Sequence, residues 1–105
     1  MLSRKRRSRL TIMAEILDVA RKGTVKTQIM YRADLSFTQL KGYISFLREV
    51  KLLKVNTENG KTIYVRTPKA VKYLETFAQI KSLLKKSGEQ DPMHIHAPYW
   101  PRSEE

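Results

Sequence analysis

Residues 36–66 read SFTQLKGYISFLREVKLLKVNTENGKTIYVR, and the fold follows from how that stretch divides. Ser36 followed by Gln39 is a capping-box signature, in which the serine hydroxyl accepts the N3 amide and the glutamine reaches back to the cap amide. From there Leu40, Tyr43, Ile44, Leu47 and Val50 fall on one arc of a helix. Thr38, Lys41, Gly42, Ser45 and Glu49 lie on the opposite arc, with Arg48 beside it. Such a helix has one face for a core and another for solvent or a partner. Two strand-like runs follow, Leu53 to Thr57 and Thr62 to Arg66, around Glu58, Asn59, Gly60 and Lys61. Asn-Gly is the strongest short-range hairpin signal, because both residues accept positive φ readily.

Upstream, Leu10, Met13, Leu17 and Ala20 recur at helical spacing, Ile12, Ile16 and Val19 fill the adjacent stripe, and Gly23 closes this first helix. Thr24 is expected to cap a second, shorter helix that carries Ile29 and Met30 inward and ends near Arg32. Downstream, Thr67 caps and Pro68 opens a fourth helix to about Lys86. At the helical rise per residue it would be roughly 28 Å long, more than one packing face of a small domain needs. Its Tyr73, Phe77, Ile80 and Leu84 form a heptad-like seam, with Val71, Leu74 and Ala78 as a neighbouring stripe. One stripe can cover the core while the other meets a second copy. The order ααα-ββ-α describes a protein that is mainly α with a β-hairpin: a winged helix-turn-helix followed by a long C-terminal dimerisation helix. The expected divisions are a basic arm over 1–9, a winged-helix domain over 10–67, a dimerisation helix over 68–86 and an acidic tail over 87–105.

A chain of 105 residues allows one domain plus appendages, and 41% hydrophobic residues suffice for one small core. The net charge is +11. Residues 87–105 carry four acidic side chains against Arg102, leaving 20 basic and 6 acidic side chains, a net of +14, on residues 1–86. That excess attracts a polyanion. The absence of cysteine excludes disulfides, cysteine zinc sites and thiol nucleophiles. No apolar run is long enough to span a membrane, and no signal-like apolar region follows the basic start.

The run Gly23-Thr24-Val25-Lys26-Thr27-Gln28-Ile29-Met30, then Ala33, Leu35-Ser36, Gln39-Leu40 and Tyr43, resembles the archaeal winged-helix DNA-binding family, over roughly residues 6–86. That family contains predicted transcription regulators and small crenarchaeal chromatin-associated proteins. The resemblance implies that the third helix is the recognition helix, the hairpin the wing, and the last helix the site of pairing, often as an antiparallel coiled coil. Ala70 stands where many members have glycine, and the tail from Ser87 lies outside the pattern.

The expected DNA-binding residues are Arg6, Arg7 and Arg9 of the arm, Lys26 and Thr27 at the start of the second helix, Ser36, Phe37, Thr38, Gln39, Lys41, Gly42, Ser45 and Arg48 of the third, and Asn59, Gly60 and Lys61 at the hairpin tip. The third helix can enter a major groove, while the arm, with Arg4 and Lys5, and the tip neutralise phosphates. Glycine in a helix interior costs about 0.5–1 kcal/mol relative to alanine, and close backbone approach to a groove wall is a reason to tolerate Gly42. The rival for the face is an ordinary solvated surface, and for the tip a plain tight turn. His94 and His96 with Asp91 are too few and too loosely placed to hold a metal. No catalytic constellation is evident, so the chain is read as a non-enzyme without cofactor. The expected function is double-stranded DNA binding by a homodimer, as transcription regulator or chromatin-associated protein, in the cytoplasm at the nucleoid. The alternatives are an RNA- or ribosome-associated winged helix, or a protein-docking module built on the last helix and the Pro98-Tyr99-Trp100-Pro101 segment.

Overall fold

In the computed structural model, residues 7–85 are described, so Arg4, Lys5, Arg6, both histidines and the acidic tail lie outside them. The first helix, α1 (Arg9–Val19), is capped by Ser8, whose Oγ accepts the Thr11 amide at 3.1 Å. Residues 8 and 9 therefore belong to the helix start rather than to a free arm. The buried stripe is Ile12, Met13, Ile16 and Leu17, continued by Ala20. Leu10 was expected in that stripe but stands 43% exposed, while Thr11 is buried at 4%. Ala14 is buried on the same side as Leu10, so the exposure of Leu10 reflects its place in the first turn of the helix rather than its angular position.

A 3-10 turn over Ala20–Lys22 leads to Gly23, at φ +93°. The left-handed conformation calls for glycine, and a Cβ there would also press on Ile63 Cγ2 at 3.1 Å. Thr24 does not cap α2 (Lys26–Arg32). It pairs instead with Tyr64, amide to carbonyl in both directions at 2.9 and 2.7 Å, and Val25 stands at the helix start with no side-chain cap. Extended pairing to the hairpin fixes Thr24 in a role that local capping preference cannot foresee.

After Asp34, at φ +56°, α3 spans Phe37–Glu49 with the full capping box between Ser36 and Gln39. Its inward residues Leu40 and Leu47 are fully buried and Ile44 is nearly so. The hairpin joins β1 (Leu53–Glu58) to β2 (Lys61–Arg66) with Leu53 opposite Arg66 and Glu58 opposite Lys61. Only Asn59 and Gly60 make the turn, both at positive φ, as a type I′ hairpin requires. With Thr24 on its other side, β2 is the middle strand at the hairpin root.

The last helix, α4 (Pro68–Leu84), starts as expected at Thr67 and Pro68. Thr67 works in both directions: its Oγ1 accepts the Ala70 amide at 3.3 Å and donates to the Lys51 carbonyl at 2.7 Å. Lys69 Nζ donates to the Val50 carbonyl at 2.7 Å, so side chains at the start of α4 satisfy carbonyls at the end of α3. Ala70 is fully buried, and Tyr73 and Leu74 pack against the core of Ile16, Leu17, Ile29, Leu40 and Leu47. The result is a mainly helical domain with a two-stranded antiparallel wing.

Candidate nucleic-acid interface

Because one arc of α3 is fixed in the core, the opposite arc is presented outward as a rigid row. Thr38, Lys41, Gly42, Ser45 and Arg48 are all exposed, as is Glu49. Gly42 has no atom within 4 Å of where a Cβ would stand, so nothing inside the chain requires glycine there. Ser36 and Gln39 are exposed too, but their polar atoms are engaged: Gln39 Oε1 accepts the Ser36 amide at 2.9 Å and Ser36 Oγ accepts the Gln39 amide at 3.1 Å. Their expected role at DNA thus shares its atoms with a structural cap. Phe37, the first residue of the helix, is 54% exposed, and Lys26 Nζ of α2 lies 5.4 Å from its ring centroid. Thr27 is exposed beside it in sequence, and Asn59, Gly60 and Lys61 form an exposed hairpin tip.

The arm departs from expectation at Arg7. Its guanidinium forms an ion pair with Glu15 of α1, and Nη2 donates to the Asp34 carbonyl at 3.1 Å. The side chain is 7% exposed, so Arg7 ties α1 to the α2–α3 turn. A contact across 8 and 27 residues leaves no local sequence signal. Arg9 stays exposed. Both arginines lie near enough to Tyr43 of α3 that their charges favour its phenolate; burial nevertheless dominates and raises the hydroxyl's pKa. The cationic start of α1 therefore stands close to the same helix.

At the other side of the domain, the expected pairing seam is split. Tyr73 and Phe77 stack, with centroids 6.1 Å apart. Tyr73 donates its hydroxyl to the Leu10 carbonyl at 2.8 Å, and Phe77 is only 9% exposed, with Lys81 Nζ 5.4 Å from its ring centroid. These two rings are turned onto their own chain, because residues 70, 73, 74 and 77 form the helix's inward face. Ile80 and Leu84 remain 38% and 39% exposed, and Leu83, which periodicity did not single out, is 83% exposed. Tyr31, at 83%, and Phe46, at 47%, are further exposed aromatics that no local pattern singles out. Among the described residues no group of three His, Asp or Glu side chains is arranged to hold a metal, and no helix is long and apolar enough to cross a membrane.

The arrangement of a capped outward-facing helix beside a two-stranded wing defines a class, and a winged helix-turn-helix family model matches residues 6–85. The chain belongs to that family. Its relatives include an uncharacterised protein of the archaeon Methanocaldococcus jannaschii, 37% identical over 68 residues that cover 58% of this chain and 70% of the relative. Among solved structures it is similar to Sso10a-2, a DNA-binding protein from Sulfolobus solfataricus, with a TM-score of 0.65 and 28% identity over 74% of this chain and 85% of that one. BpsR of Bordetella bronchiseptica shares the fold, with a TM-score of 0.60 and 16% identity over 69% of this chain and 54% of that one. The archaeal resemblance carried by residues 23–43 thus has archaeal counterparts in both sequence and structure.

Proposed function

We propose that this chain binds double-stranded DNA, with α3 in the major groove and the hairpin tip, the exposed Arg9 and the half-buried Lys26 on phosphates. The observation that carries this reading is the outward row of α3: Thr38, Lys41, Gly42, Ser45 and Arg48 are small or cationic, while the same helix's other side is locked in the core. A helix so held can enter a groove without deforming, and short polar side chains reach base edges from it. The net charge of +11 supplies the sequence-independent attraction. The DNA-binding description of the Sulfolobus protein supports the same reading. The wing would contact phosphate through Lys61, with Asn59 and Gly60 giving the tip its tight turn.

The functional unit is proposed to be a homodimer joined at the C-terminal end of α4. Ile80, Leu83 and Leu84 offer the apolar surface for this, while Tyr73 and Phe77 brace the helix from within. Such a dimer suits either a transcription regulator or a chromatin-associated protein acting at the nucleoid. Mapping bound sites across the genome separates them, since a regulator yields isolated peaks and an organiser even coverage.

The direct test is Lys41→Glu in the full chain, read by titration with duplex DNA at several salt concentrations. Wild-type affinity should fall linearly in log–log form with salt. The variant should bind roughly tenfold or more weakly at low salt and show a slope smaller by about 1. Binding that ignores both salt and the substitution overturns the reading. Equal or better competition by a matched RNA duplex, whose major groove is closed to a helix, points to the RNA class instead.

A further inference from the structure

We infer that Phe37 is a specificity-determining residue that recognises the 5-methyl group of thymine, with Lys26 as the cation that positions its ring; this rests on the DNA-binding reading above. Three features of the site meet here. Phe37 opens α3, and the first turn of a recognition helix is the part that reaches base edges. Its ring is 54% exposed, although the helix has a fully buried face available for aromatic packing. Lys26, from the neighbouring helix, holds its ammonium 5.4 Å from the ring centroid, where the negative face of the π-system attracts it.

The chemistry of the pair is divided. An aromatic ring cannot hydrogen-bond to a base edge, so the complementary group in the major groove is the thymine methyl, which only A·T and T·A pairs present there. The ammonium cannot distinguish bases but neutralises a phosphate. A ring already oriented by a neighbouring charge loses less freedom on contact than a free one. The same short span of surface therefore offers an apolar reader and an electrostatic anchor. Phe46, 47% exposed, lies more than two turns further along α3, and Tyr31 lies on α2, so neither shares that position in the first turn.

The experiment uses the full chain and two duplexes of identical A·T-rich sequence, one with thymine and one with deoxyuracil throughout. Wild-type protein should bind the deoxyuracil duplex about fourfold more weakly for each methyl contacted, the ratio that roughly 0.8 kcal/mol per buried methylene-sized group gives. Phe37→Ala should bind both duplexes alike, and Phe37→Leu should retain part of the discrimination because it keeps an apolar tip. Lys26→Gln should weaken binding to both duplexes and reduce the salt slope by about 1 through the lost phosphate contact, and should also lower the thymine-over-deoxyuracil ratio because the Phe37 ring is no longer held; an unchanged ratio overturns the positioning role of Lys26. Equal wild-type affinity for the two duplexes, or undiminished discrimination in Phe37→Ala, overturns the inference while leaving DNA binding intact. Absence of salt-dependent binding to either duplex overturns the DNA-binding reading and this inference with it.

Discussion

Gly42 is a residue at which folding and the proposed DNA contact make opposite predictions. It lies inside α3, its Cβ position is open, and it does not adopt positive φ. Alanine there should therefore raise folding stability by about 0.5–1 kcal/mol. If the backbone of α3 approaches a groove wall, the same methyl group should weaken DNA binding. Urea denaturation and DNA titration of Gly42→Ala read the two effects independently, and a variant that is more stable with unchanged affinity marks the glycine as incidental. Gly23 is the opposite case: its positive φ and the nearby Ile63 methyl make it a requirement of folding alone.

Elements differ in how far their neighbours in sequence determine them. The start of α3 and the hairpin turn were legible because their signals are local: Ser36 and Gln39 cap each other across three residues, and Asn59-Gly60 needs only its own φ angles. Thr67-Pro68 is readable for the same reason. Thr24 reads locally as a cap because its partner, Tyr64, is forty residues away, and Arg7 reads as a free cation because Glu15 and Asp34 become its neighbours only after folding. Periodicity identifies which arc of α3 faces solvent, but no pattern in the chain reveals that Lys26 and Phe37 meet. The union of α1 with α4 is likewise a tertiary matter, and it responds to pH. Burial pushes the Tyr73 hydroxyl up to about 12, while an unfolded tyrosine titrates near 10. Tyr73 therefore contributes its full stability below pH ~10, and that contribution is lost as pH rises towards ~12, because the unfolded state releases its proton first. Tyr73→Phe should cost about 0.5–1.5 kcal/mol at neutral pH through the lost bond to the Leu10 carbonyl. It should also flatten the fall in stability over pH 10–12 relative to wild type, as thermal or urea denaturation across that range would register.

At the scale of the whole molecule, the two ends of the domain differ in the chemistry of their exposed side chains. One end gathers cations and small polar groups around α3, and the other exposes Ile80, Leu83 and Leu84 at the end of α4. Charging Ile80 and Leu84 together, as Ile80→Glu with Leu84→Glu, should yield a monomer in sedimentation with the circular dichroism of the folded chain. A persisting dimer would place the pairing surface elsewhere. Phe77 is unsuited to this test, since a charge at a 9% exposed ring would unfold its own domain. The small bridge between Thr24 and Tyr64 also has a mechanical side. It clamps the root of the wing beside the Gly23 bend, whereas Asn59 and Gly60 at the far end have no such restraint. Backbone bonds on both sides of Tyr64 thus anchor β2 at the base of the hairpin, and on the proposed DNA-binding reading this anchor would set the angle between wing and α3.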